Sequence, residues 1–149
     1  MKTSESSVIV SQNFTQSVAT VWKATTDVSQ MRQWFFENIP DFKAEVGFQT
    51  QFNVKAPSRD FMHLWKITEV IPQQKIVYNW KYEDLAGDSF VSFELEEIHN
   101  QTLLTVTATV TADFSDEIPE FTRESCLGGW TYFINEQLVV FLDSFKQYY

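Results

Sequence analysis

The chain has 149 residues, the size of one ordinary domain. Hydrophobic residues make up 44% and charged residues 21%, which excludes a disordered, collagen-like or low-complexity chain. The net charge of −9, from 11 basic and 20 acidic residues, argues against a nucleic-acid partner and against an anionic membrane surface, since both need clustered Lys and Arg.

Met1-Lys2-Thr3-Ser4-Glu5-Ser6-Ser7 has no apolar core and does not read as a signal peptide. The apolar run at Leu138 to Leu142 is too short to cross a bilayer, and a cytoplasmic protein is expected. Val8 to Phe14, β-branched and aromatic, reads as a first strand. Ser17 is the expected cap of a helix over Val18 to Thr26, and Asp27 or Ser29 caps a second that ends near Phe36.

A long all-β stretch is predicted next. Asp41 to Val46 and Phe48 to Val54 read as strands that meet at Gly47, where the bend tolerates no side chain. Ala56 to Asp60 is a turn, and Phe61 to Ile71 is a strand stopped by Pro72. Lys75 to Asp84 follows. Asp88 to Ile98 and Thr102 to Asp113 form a hairpin around His99-Asn100-Gln101, which places His99 in solvent. Ile76, Tyr78, Trp80 and Tyr82 share one face; so do Val91, Phe93 and Leu95, and again Leu104, Val106, Ala108 and Val110. A sheet with one apolar and one polar face is antiparallel and packed on one side.

The packing partner is the last segment. Leu127, Trp130, Ile134, Leu138, Phe141 and Phe145 recur at steps of three and four, one face of a helix. The helix is predicted from Pro119, in its first turn, to about Lys146. Gly128-Gly129 interrupts it at about 2 kcal/mol against alanine, offset by a kink, a close approach or room for something beside the helix. The architecture is α+β, one domain over residues 1–149: a strand, two short helices, six strands and one long helix. A curved sheet cannot close perfectly around one helix, so a cavity is expected between them.

The composition includes 14 Phe, 5 Trp and 5 Tyr. Trp34, Phe35, Phe48, Phe52, Trp65, Tyr78, Trp80, Phe93, Trp130 and Phe133 either line such a cavity or simply fill the core, since burying each stabilises the fold by about 2–3 kcal/mol. His63 alternates in step with Phe61, Trp65 and Ile67. On an inward face it is a polar handle or a base; otherwise it is a hydrogen-bonded histidine without chemistry. Glu69 shares that alternation and would set a carboxylate against the rings, or else pair with a nearby lysine. Cys126, the one cysteine, allows no intrachain disulfide and reads as a small buried residue. No G-x-S-x-G elbow, zinc-ligand spacing or glycine-rich phosphate loop is present, so neither catalytic residues, metal nor cofactor is assigned.

Several segments in order resemble the activator of heat-shock protein 90 ATPase homologue (AHSA-type) family, of the START-like or SRPBCC superfamily. They are Val21-Trp22-Lys23-Ala24-Thr25-Thr26-Asp27 with Met31 and Trp34, then Gly47-Phe48. Ile67-Thr68-Glu69-Val70-Ile71-Pro72 with Ile76-Val77-Tyr78-Asn79-Trp80 follows, then Val91-Ser92-Phe93-Glu94-Leu95, Thr102-Leu103-Leu104-Thr105-Val106, and Gly129-Trp130 with Leu138 and Leu142. The resemblance covers about residues 8–146. The resemblance implies a helix-grip (START-like, Bet v 1-like) fold and a lipid-binding-like cavity for a hydrophobic or aromatic small molecule, oriented by Tyr78, His63 or Glu69. It equally implies a co-chaperone partner and a stress-response setting, in a monomer or homodimer. A third reading is a cyclase- or hydrolase-like enzyme using the same cavity. The chain departs from the family at Phe114-Ser115-Asp116-Glu117-Ile118-Pro119, which lacks a histidine common there. It departs again at Trp65, where a small residue is usual and a bulky inward ring would shrink the pocket. In the eukaryotic activators a separate N-terminal domain precedes this one; here about seven residues precede the first strand.

Overall fold

The computed structural model describes residues 1–145; Lys146, the predicted helix end, lies outside them. β1 (Val8–Phe14) leads into α1 (Val18–Thr26) and α2 (Val28–Trp34). The predicted caps are in place. Thr20 N donates to Ser17 Oγ at 3.3 Å, and Ser29 N and Gln30 N donate to Asp27 Oδ1 at 2.9 and 3.3 Å. They satisfy amides that the helices cannot pair themselves. Trp34 Nε1 donates to Ala24 O at 2.8 Å and locks the two helices together.

Five strands follow: β2 (Gln49–Lys55), β3 (Asp60–Ile71), β4 (Lys75–Tyr82), β5 (Asp88–Ile98) and β6 (Gln101–Ala112). With β1 they form one antiparallel sheet in the order β1-β6-β5-β4-β3-β2. The strand predicted over Asp41–Val46 does not form, so the sheet has six strands rather than seven. Its backbone is claimed locally. Arg32 donates through Nε to Ile39 O at 2.8 Å and through Nη2 to Pro40 O at 2.9 Å. Phe42 N turns to its neighbour Asp41 Oδ1, and Glu45 N to Lys43 O. Ile39 and Phe42 are buried, so this loop plugs the sheet's end rather than extending it. Gly47 does make the bend, at φ +91°, a region that favours glycine. His99 and Asn100 both have positive φ in the β5–β6 turn, which suits a two-residue hairpin.

The C-terminal helix differs from its prediction in three ways. Pro119 opens only a short 3₁₀ turn, Pro119–Phe121. The α-helix proper, α3 (Arg123–Trp130), starts behind Thr122, whose Oγ accepts from Ser125 N at 3.1 Å. α3 runs through Gly128-Gly129 without a break, and the irregularity comes after them, as a π-helical stretch over Thr131–Gln137 that continues into α4 (Leu138–Asp143). Its buried seam is Trp130, Ile134, Leu138 and Leu142. Leu127, predicted in the seam, is 38% exposed; Phe141 and Phe145 sit half-buried on its flank.

Most of the apolar side chains form one core between the concave sheet face and the helices. A second cluster, Phe61, Phe114, Ile118 and Phe121, closes one end, with Tyr82 and Val110 against it. Among the described residues no helix is long and apolar enough to cross a membrane.

Candidate functional site

Between the two clusters lies a cavity of about 170 Å³. The sheet supplies one wall: His63 from β3, Trp80 and Tyr82 from β4, Ser89 and Val91 from β5, Ala108 and Val110 from β6. α3 and the π-helical stretch supply the opposite wall with Ser125, Cys126, Gly129, Trp130 and Phe133. Phe36, Phe114 and Phe121 close the ends, and Met1 and Glu120 stand at the rim. The cross-strand register explains the hollow. Trp65, Trp80, Ser89 and Val110 follow one another across β3–β4–β5–β6, as do Ile67, Tyr78, Val91 and Ala108. In both rows a large ring on β4, Trp80 or Tyr78, gives way to small side chains on β5 and β6, and small residues leave space.

Of the predicted lining residues, the structure brings His63, Trp80, Trp130 and Phe133 to this cavity. Most of the others fill the centre of the fold. Trp65 is the hub, with ring centroids 4.8 Å from Phe52, 5.0 Å from Trp80, 5.1 Å from Tyr78 and 5.6 Å from Phe35. Phe93 stacks on Tyr78 at 5.8 Å, and Phe48 packs on Phe42 at the plugged end. Trp34 is spent on joining the helices. Glu69 does not reach the cavity at all. A bulge between Ile67 and Glu69 breaks the alternation that would have turned it inward, and its carboxylate lies 3.3 Å from Lys75 Nζ. Tyr78 is fully enclosed, and burial alone pushes its hydroxyl pKa well up. Its Oη and the Nε1 of Trp65 have no hydrogen-bond partner.

Two polar groups matter in the hollow. His63 is 5% exposed, among the rings of Phe36, Phe52, Trp80 and Tyr82. Burial pushes its imidazole down to about 4, and the hydrogen bond to Phe61 O at 3.0 Å only partly opposes this. It is therefore neutral at physiological pH. Tyr82, inward as predicted, accepts from Trp80 Nε1 at 2.9 Å, and burial raises its hydroxyl pKa. Cys126 is half-buried rather than buried, and desolvation lifts its thiol to about 11. It stays protonated and is not an activated nucleophile. Glu120 is held by Ser58, whose Oγ donates to it at 2.6 Å. Sequence reasoning missed Ser89, Cys126 and the Phe36, Phe114 and Phe121 ends of the cavity. Its available signals were the small Ala108 in a row of larger residues and the glycine pair: a Cβ built on Gly129 meets nothing within 4 Å.

The arrangement is an apolar chamber with a neutral imidazole and a phenolic hydroxyl on one wall. Among the described residues no cluster of three His, Cys, Asp or Glu could hold a metal ion.

Comparison with known proteins adds the family. The profile described as Activator of Hsp90 ATPase homolog 1-like protein matches residues 15–143. No curated protein matches the sequence. Among solved structures, an Hsp90 activator from Plasmodium falciparum is 21% identical, with a TM-score of 0.72 over 93% of this chain and 97% of that one. The Aha1 dimer from Colwellia psychrerythraea is 20% identical, with a TM-score of 0.67 over 95% of this chain and 94% of that one. A protein of the dynemicin biosynthetic locus is 20% identical, with a TM-score of 0.75 over 93% of this chain; the match spans only 48%, about half, of that protein's length. These likenesses show the helix-grip fold.

Proposed function

This chain belongs to the family of Activator of Hsp90 ATPase homolog 1-like proteins, and from that premise we propose that it is a binding module for one small apolar or aromatic molecule. The cavity carries the reading. At about 170 Å³ it falls short of the roughly 300–1,000 Å³ of drug-sized sites. It matches an engineered apolar cavity of about 150 Å³ that stays dry and takes up benzene. The occupant is therefore about one ring in size, held mainly by removal of apolar surface from water. Trp80 and Trp130 line the chamber and report on it. Toluene titrated into the protein is expected to change tryptophan emission saturably and to raise the unfolding temperature. A response that is linear in toluene with no thermal shift would remove the reading.

A second reading is a co-chaperone-type domain. It is supported by the likeness to the Plasmodium falciparum activator over nearly the whole of both chains. It predicts stimulation of Hsp90 ATPase turnover by the purified protein; turnover unchanged by a molar excess ends it.

A further inference from the structure

We propose that the cavity selects a single-ring hydroxyarene, a phenol, whose hydroxyl donates to Nε2 of His63 and accepts from the hydroxyl of Tyr82. The inference rests on the cavity being a small-molecule site and adds the chemical class of the occupant. The room and the walls ask for a ring: about 170 Å³, faced by Val91, Ala108, Trp130 and Phe133. The polar atoms ask for a hydroxyl. Nδ1 of His63 lies 3.0 Å from the Phe61 carbonyl, which can only accept. That nitrogen therefore carries the ring hydrogen, and Nε2 is left as a lone pair with no donor among the described residues. Tyr82 Oη already accepts from Trp80 Nε1 at 2.9 Å, so its own hydrogen is free to be donated. The two rings stand 4.8 Å apart between centroids. An acceptor and a donor on adjacent rings of one wall suit a group that both donates and accepts.

Other ligand chemistries fit less well. A carboxylate would face the His63 lone pair, and the N-terminal ammonium of Met1 at the rim is already turned to Phe121 O. An ammonium within the chamber would be desolvated beside the neutral His63 and Tyr82, with its one carboxylate, Glu120, out at the rim. A bare hydrocarbon ring would leave Nε2 buried and unpaired. Ser89 offers no competing donor, because its Oγ donates to Trp80 O at 2.6 Å. The low proton affinity of His63 keeps Nε2 unprotonated at neutral pH.

Phenol and toluene, alike in shape apart from the hydroxyl, are the probes. Each is titrated by calorimetry into the wild-type protein and into His63→Leu. The nitrogen-15 resonance of His63 Nε2 is followed in the wild type. The phenol-over-toluene preference is expected to fall about tenfold in His63→Leu. Phenol, and not toluene, is expected to move the Nε2 resonance toward the hydrogen-bonded range. If toluene binds, the preference is the same in both proteins and phenol leaves Nε2 unmoved, the hydroxyl assignment is overturned while the apolar cavity stands. If neither probe binds, both readings fall. Should His63→Leu not fold, the wild-type Nε2 resonance decides alone.

Discussion

The two halves of the concave face belong to one antiparallel sheet under the same helices, yet one is solid and the other hollow. On the β3–β4 half, Trp65, Tyr78 and Trp80 interlock with Phe35 and Phe52, and Trp65 is 2% exposed. On the β5–β6 half, Ser89, Val91, Ala108 and Val110 face Cys126 and Gly129 across open space. Side-chain volume drops where the ladder rows pass from β4 to β5. The solid half is therefore where stability is concentrated, and the hollow half is where the surface can change without unfolding the chain.

The largest expected effect lies in the solid half. Trp65→Ala should destabilise the protein by about 3–5 kcal/mol in urea unfolding, as expected for a buried indole whose neighbours collapse only partly. A loss below about 1 kcal/mol would mean that the centre is not the better-packed region. The boundary between the halves gives a pH effect. His63 titrates at about 4 in the folded state against the ordinary 6.5. Between those values the unfolded chain takes up a proton that the folded chain refuses. The stabilisation is therefore complete above about pH 6.5 and is lost as pH falls toward about 4, by about 3 kcal/mol. His63→Leu should flatten that part of the stability curve; equal acid sensitivity in both proteins would assign the effect elsewhere. The smallest effect belongs to the hollow half. Gly129→Ala adds a methyl group that meets no atom within 4 Å. It should stabilise the helix by up to about 1 kcal/mol in thermal unfolding while weakening toluene binding. An unchanged toluene affinity would place the hollow away from residue 129.

Much of this was legible in the sequence because it is decided locally. The Ser17 and Asp27 caps, the β5–β6 hairpin turn, predicted one residue longer than the His99-Asn100 turn that forms, and the inward parity of Tyr78, Trp80, Val91 and Ala108 depend on near neighbours. Trp65 as the filler of the pocket could also be anticipated from its size at an inward position. What failed depends on distant partners. Asp41–Val46 alternates like a strand, but Arg32 takes the carbonyls on its approach. Glu69 was misplaced by a single bulge that no residue at that point announces. The list of aromatics could not be divided into filler and lining, because that depends on which side chain lies across the next strand. The register of β4 against β5 pairs Trp80 with Ser89 and Tyr78 with Val91.

The π-helical stretch at Thr131–Gln137 has a mechanical consequence. In an ordinary α-helix, residues four apart drift about 40° around the axis at each step, so a file of every-fourth residues would spiral off the surface beneath it. The wider turn, bonded i to i+5, absorbs that slippage. Trp130, Ile134, Leu138 and Leu142 can then run as a straight keel along the sheet, and Phe133 shares the cavity wall with Gly129, one turn before it.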